Sequence, residues 1–292
     1  MTSSFSALLT PFTLEFFQRG LLGGALVAVL CGVVGTWVVV RGMAFLGEAL
    51  AHGMLPGVAL ATVLGAPVLV GGALSAVAMS IGIGALQRRA RLSYDTSIGL
   101  LFVAMLALGV IIISHSGSFA TDATAILFGD ILAITRVDLL LLAAAAALGV
   151  IAATLCHRPF VALALDTRIA TVLGLRPRWA QAALVGLVTL AVVASYQAVG
   201  SLLVVGLLLA PAVAAAQWTT RLPTRMVLAS AFGVAAVLVG LLASWYAATA
   251  AGASVAAAAI GLAGLSWAVR AAVRTRHPFA DRAAHPDPAP AS

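Results

Sequence analysis

Apolar runs long enough to cross a lipid bilayer recur along most of this chain, and no other feature limits its fold so strongly. About 20 consecutive apolar residues in a helix span the hydrocarbon core of a membrane. Charged or turn-forming residues separate most of the runs, but some neighbours are joined by only one or two residues, so the sequence predicts eight or nine spans. The runs lie at 21–40, 45–65, 67–86, 96–114, 138–156, 179–196, 198–217, 226–246 and 253–270.

The composition agrees with a membrane protein. Of 292 residues, 63% are hydrophobic and only 9% are charged, and the mean hydropathy is +1.14, whereas soluble domains are about a quarter charged. We therefore expect an all-α polytopic membrane protein. Its single membrane domain is predicted to cover 1–275, beginning with a short amphipathic lead at 1–19. The Pro- and Ala-rich tail at 276–292 is predicted to be disordered.

The basic residues orient the predicted spans. All 16 are arginines, and most lie in short segments between apolar runs. Positively charged loops stay on the cytoplasmic side of a membrane, so the net charge of +7 indicates topology in a plasma membrane and not a nucleic-acid partner. With nine spans, the C-terminus lies inside the cell and the N-terminus outside. The segments placed inside are 87–91, 157–178, 219–225 and 270–276, together with Arg41.

The segment 157–178 is too long for a tight turn and too charged to span a membrane. Its centre, from Leu163 to Leu175, mixes small and branched apolar side chains with Asp166 and Arg168, a pattern typical of a short amphipathic helix. Two interpretations of this pattern stay open. The helix either lies among the lipid headgroups or docks a soluble partner.

A carboxylate and an imidazole stand four residues apart in the stretch FLGEALAHG. A helix places Glu48 and His52 on the same face, and ionisable groups inside a span are unfavourable unless they meet a partner or water. Their oxygen and nitrogen donors suit zinc, manganese or ferrous iron. The alternative is a hydrogen-bonded pair at a wet helix end, and the spacing alone does not decide between the two.

Glycines and prolines around this pair predict close packing and helix breaks. Gly47, Gly53 and Gly57 allow neighbouring backbones to approach closely. Pro56 removes a backbone donor one turn after the histidine, which favours either a break that exposes carbonyls to a polar cavity or a packed kink. Pro211 lies inside the run 198–217 and is predicted to be a gating element or a static kink.

The remaining polar residues have simpler interpretations. Asp95 and Asp138 each come just before an apolar run, where a carboxylate favours the start of a helix, and Thr96 and Ser97 offer capping oxygens. His115 is expected in a solvated outer loop. The sequence has no Walker A phosphate loop, zinc-protease helix or nucleophile elbow, so any ATP would be bound by another chain.

Five segments, in this order, resemble the membrane permease subunit of ATP-binding-cassette (ABC) importers for zinc, manganese or ferrous iron. One such match alone would be unspecific, but five in the same order are not. The matching segments are RGMAFLGEALAHGMLPGVAL (41–60), SYDTSIGLLFVAMLALGVIIIS (93–114), LFGDILAIT (127–135) with DLL (138–140), LALDTRIATVLGL (163–175) and VGSLLVVGLLLAPAVAAA (199–216).

The resemblance implies a fold similar to that of the cobalamin-type importer permeases, usually with eight spans per subunit. It also implies a second permease subunit, identical or different, two cytoplasmic ATPase subunits that hydrolyse ATP, and an extracytoplasmic metal-binding protein. The chain itself would be no enzyme and would hold no permanent cofactor, since the divalent metal ion is the cargo.

The resemblance also assigns roles to residues. The family's G-D-x-x-x-H signature corresponds to Gly47, Glu48 and His52, so the acid and the histidine are expected on the metal pathway. Here the acid is Glu, one methylene longer than the usual Asp. The ATPase-docking region of the family corresponds to LALDTRIATVLGL (163–175), in which Asp166, Ala170 and Gly174 match its pattern. This favours the docking interpretation of 157–178.

Other functions predict different features. An ion-coupled carrier would have ionisable residues spread through several spans, and this chain has few. An intramembrane zinc enzyme needs about three protein ligands, and the sequence offers one clear pair. The same architecture with haem or a metal chelate as cargo remains an alternative.

Overall fold

The computed structural model describes residues 10–90, 92–116, 129–165 and 176–276, and these ranges are helical, without strands. Outside them lie the first nine residues, residues 277–292 of the predicted tail, and the positions Asp166, Ala170 and Gly174. The elements are a 3₁₀ turn at Thr10–Thr13, followed by α1 (Glu15–Val40), α2 (Ala44–Gly53), α3 (Leu55–Leu64), α4 (Val68–Arg89), α5 (Tyr94–Ser116), α6 (Arg136–Leu155), α7 (His157–Leu165), α8 (Pro177–Ala216), α9 (Leu222–Ala247) and α10 (Ala251–Arg276).

Within these ranges, nine helical stretches are long and apolar enough to cross a membrane. α2 and α3 together make one of them, and α8 contains two, Pro177–Tyr196 and Ala198–Ala216. The predicted all-α membrane fold with eight or nine spans is therefore confirmed. The first and last helices are longer than the predicted apolar runs. α1 begins at Glu15, before the run 21–40, and α10 continues to Arg276, beyond the run 253–270.

The core is built around α1, which packs against α6, α8 and α9. In the most apolar window of α1, 72% of residues are buried, compared with 17% for α5, so α1 is central and α5 peripheral. Glycines bring the backbones together. A Cβ on Gly35 would lie only 1.8 Å from the carbonyl oxygen of Leu208 in α8, so any larger residue there would force the helices apart.

The two spans of α8 form a hairpin that turns at Gly200. This residue has φ 73° and ψ 166°, a backbone region that glycine alone adopts readily. The turn at 129–131 touches both Gly200 and Gly20, near the start of α1, while Leu208 touches Gly35, near the end of α1. The chain therefore reverses at Gly200 and runs back alongside α1.

Side-chain caps begin two of the spans. Thr135 and Asp138 form a reciprocal capping box at the start of α6, with the Thr135 N–H donating to the carboxylate at 3.0 Å, as the helix-start interpretation of Asp138 predicted. At α5 the expected capping residues were wrong. Ser93 Oγ accepts the N–H of Thr96 at 3.1 Å, whereas Ser97 donates its hydroxyl back to the Ser93 carbonyl.

Candidate functional site

Glu48 and His52 lie on one face of α2, as their spacing predicted. Their Oε1 and Nε2 atoms are 3.6 Å apart, and the side chains are 36% and 23% exposed, respectively. Since α2 begins at Ala44 and a helix rises about 1.5 Å per residue, the two side chains lie roughly 6 and 12 Å from its start. The pair is thus inside a span yet still accessible.

An aromatic side chain of α5, which sequence reasoning did not single out, packs against this pair. The ring of Phe102 lies 5.7 Å from the His52 imidazole and 5.5 Å from the ring of Phe45, centroid to centroid. His52 Nδ1 is buried and has no hydrogen-bond partner among the described residues. Ring packing, rather than a hydrogen bond to Nδ1, therefore holds the imidazole while Nε2 faces Glu48.

The span is interrupted just beyond the pair. α2 ends at Gly53 and α3 begins at Leu55, with Pro56 in its first turn, so the proline lacks the N–H that would continue the ladder. The hydroxyl of Ser75 in α4 donates to the Gly53 carbonyl at 2.7 Å. A side chain of this neighbouring helix therefore bonds the backbone at the junction of α2 and α3.

The three glycines around the pair lie at close approaches, as predicted. Gly47 faces a leucine side chain of α8. A Cβ on Gly53 would lie 2.1 Å from the sulfur of Met79, and one on Gly57 would lie 2.0 Å from the carbonyl oxygen of Gly71. The α2–α3 span is therefore packed tightly against α4 and α8.

The second predicted kink residue, Pro211, is buried in the returning half of α8. Within α8 the non-helical dihedrals belong to Gly200, eleven residues earlier. The structure thus places the sharp break of this helix at the glycine, and a gating role for Pro211 stays a prediction.

The segment predicted to dock a soluble partner begins with α7, which starts at His157, earlier than the amphipathic core expected from Leu163 onward. α7 is anchored to the end of α1 by aromatic contacts. The ring of Trp37, which is fully buried, meets the rings of Phe160 and His157 edge-on at 5.2 and 5.5 Å. The first part of the segment is therefore joined firmly to the central helix.

The described residues contain no cluster of three or more His, Cys, Asp or Glu side chains able to hold a metal ion. Cys31 is buried and Cys156 half-buried, and neither forms a disulfide. Glu48 and His52 supply two donors, whereas a tetrahedral zinc site takes four. Among the described residues, this pair therefore offers two of the four donors that such a site would need.

The model of the ABC 3 transport family matches residues 13–270. The chain belongs to this family. It is 35% identical to the manganese transport system membrane protein MntC of Listeria monocytogenes over 78% of this chain and 81% of that protein. It is 31% identical to a probable iron transport system membrane protein of Haemophilus influenzae, over 83% and 89% of the two chains.

Solved structures agree with the assignment to the ABC 3 transport family. A structure of PsaBC from Streptococcus pneumoniae in complex with Fab is 30% identical, with a TM-score of 0.79 over 91% of this chain and 95% of that one. An inward-facing metal-chelate type ABC transporter, 17% identical with a TM-score of 0.57 over 89% and 98% of the chains, shares the fold. The permease resemblance is confirmed, and the chain is a membrane permease subunit of an ABC transporter.

Proposed function

We propose that this permease imports a divalent transition metal ion across the plasma membrane, with manganese, zinc and ferrous iron as the candidate cargoes. ATP is hydrolysed by a separate cytoplasmic ATPase subunit, and an extracytoplasmic binding protein delivers the ion. The names of the relatives, which are manganese and iron transport proteins, support this class of cargo.

The observation that carries the proposal is the geometry of the Glu48–His52 pair. A metal with bonds of about 2.1 Å to nitrogen and oxygen separates two tetrahedral ligands by roughly 3.4 Å. The 3.6 Å between Oε1 and Nε2 is close to that separation, and longer than an ordinary hydrogen bond. A small shift of either side chain brings both donors onto one ion.

The incomplete ligand set suits a transporter. A site that binds its ion too tightly cannot release it, so the two donors of this pair, completed by water or by a second permease subunit, favour transient binding. The longer acid at position 48 sets the size of the site and therefore affects the choice of metal.

Uptake into proteoliposomes that contain the permease and its ATPase subunit, with the binding protein supplied, tests the proposal. We expect Glu48→Ala and His52→Ala to lower ATP-dependent manganese, zinc or iron uptake by about 100-fold or more, since even outer-shell partners of a metal are worth roughly 10–100-fold. Glu48→Asp is expected to retain uptake with a changed metal preference.

Glu15→Ala provides the matched control, because Glu15 is an exposed acid paired with Arg136 at 3.1 Å and should not affect uptake. Full uptake in both Glu48→Ala and His52→Ala would contradict the assignment of the pair. ATP-dependent uptake of haem or a chelate without any free ion would change the cargo, and uptake without ATPase would point to an ion-coupled carrier.

A further inference from the structure

Arg41 bonds to two elements that are distant in the sequence. It follows the last residue of α1, and its Nη1 donates to the carbonyl oxygen of Leu163 in α7. Its Nη2 donates to Oε1 of Gln181 in α8 at 3.3 Å. The partners are 122 and 140 residues away in the chain. Arg41 thus connects the end of α1 to α7 and to α8. Hydrogen bonds from a charged donor are roughly twice as strong as neutral ones.

Gln181 extends the contact to the turn that begins α2. A guanidinium has only donors, so the amide presents its oxygen to Arg41 and its nitrogen to the sulfur of Met43, 3.7 Å away. Met43 is 4% exposed, and its carbonyl accepts the N–H of Leu46 at 3.0 Å in the first turn of α2. The orientation of α2 is thereby linked to Arg41.

The start of α5 meets the same group. Tyr94, the first residue of α5, lines the same cavity as Arg41 and Gln181, and α5 also carries Phe102, which packs on His52. The two elements that form the candidate site, α2 and α5, therefore both begin at the Arg41 contact. The third partner, Leu163, belongs to the segment 157–178.

We propose that Arg41 is a positioning residue that transmits movement of α7 to the helix bearing Glu48 and His52. The inference rests on the proposed function and on the predicted docking of the ATPase subunit at 157–178, the segment that begins with α7. A displacement of α7 shifts the Leu163 carbonyl, the charged bond draws the Arg41 turn with it, and α2 follows because the turn leads directly into it. The role is mechanical, since Arg41 is separate from the Glu48–His52 pair.

The test measures ATP hydrolysis and manganese uptake in the same proteoliposomes. Arg41→Gln keeps hydrolysis within about two-fold but lowers the number of ions moved per ATP by about ten-fold or more, as expected from losing a charged hydrogen bond. Arg41→Lys and Gln181→Ala, which each keep part of the contact, are expected to fall in between. Arg225→Gln is the matched control, because Arg225 donates to the Thr219 carbonyl only six residues away.

Equal numbers of ions per ATP in wild type and Arg41→Gln would overturn the inference. So would a proportional loss of hydrolysis and uptake, which a merely structural role predicts. If Arg41→Gln fails to assemble, wild-type stoichiometry in both Arg41→Lys and Gln181→Ala would overturn it equally.

A distance measurement separates this inference from the proposed function. Spin labels replace the exposed residues Ala44 in α2 and Arg158 in α7, in a background with both native cysteines changed to serine. In the complex with the ATPase, we expect their separation to stay constant upon ATP binding in wild type and to change in Arg41→Gln. If wild type moves no ion, the proposed cargo fails, but this result still decides the role of Arg41. A separation that behaves identically in both proteins would exclude transmission through Arg41.

Discussion

Gly200→Ala tests whether the hairpin of α8 depends on a conformation that only glycine adopts easily. Gly200 has φ 73° and ψ 166°, and holding a residue with a Cβ in such a sparsely populated region costs about 1–3 kcal/mol. The turn cannot relax freely, because Gly129, itself at φ 58°, lies against it. A Cβ on Gly129 would be 2.3 Å from the Gly200 nitrogen.

Thermal unfolding of the purified subunit in detergent measures this effect. A dye that becomes fluorescent on reacting with thiols reports unfolding, because Cys31 is buried in the native core. With roughly 2–4 °C per kcal/mol for a larger domain, we expect the midpoint of Gly200→Ala to fall by several degrees. The variant should still form its helices, since the strain is local.

Gly261→Ala is the control for the change of residue type. Gly261 is exposed in α10, and a Cβ there would meet nothing within 4 Å. Alanine in a helix is more favourable than glycine by roughly 0.5–1 kcal/mol, so this variant should unfold at the same temperature or slightly higher. A Gly200→Ala protein as stable as Gly261→Ala would refute the argument that the reversal requires glycine.

Two further variants test the surroundings of the candidate site. Ser75→Ala should leave the Gly53 carbonyl without the Ser75 donor and destabilise the subunit by about 1–3 kcal/mol, measured by the same unfolding assay. Thr62→Val, which loses only a hydrogen bond within its own helix, should change stability less. Equal losses of stability in the two variants would contradict the bridging role of Ser75. Phe102→Ala should release the His52 ring and weaken manganese binding while basal ATP hydrolysis is unchanged. An unaltered affinity for manganese would show that the aromatic contact does not position the imidazole.

The spans could be predicted because length and hydropathy are local properties of a sequence. The juxtaposition of Glu48 and His52 was predictable for the same reason, as both belong to one helix. Arg41 was interpreted only as an orientation signal, because its partners Leu163 and Gln181 are more than a hundred residues away and no local pattern links them. Phe102 was likewise one aromatic residue in an apolar run, and only the packing of α5 on α2 distinguishes it.

The break of α8 was predicted in part. The sequence predicts two spans separated near residue 197, but it predicts the kink at Pro211 and not at Gly200. A proline in an apolar run is a recognisable helix breaker, whereas a glycine in a membrane helix is common. The capping of α5 shows a similar limit. Ser93, Thr96 and Ser97 all carry hydroxyls at the helix start, and only the first residue's geometry makes it the cap.

The contact between Trp37 and α7 gives the protein an intrinsic optical reporter. The chain has five tryptophans, and Trp37 is fully buried while the other four are at least 38% exposed. Indole emission depends on the groups that surround the ring, and those of Trp37 include His157 and Phe160 of α7. Any change in how α7 packs on α1 would therefore alter the emission of this single residue. Replacing the four exposed tryptophans by phenylalanine would leave a label-free signal of changes at the contact between α1 and α7.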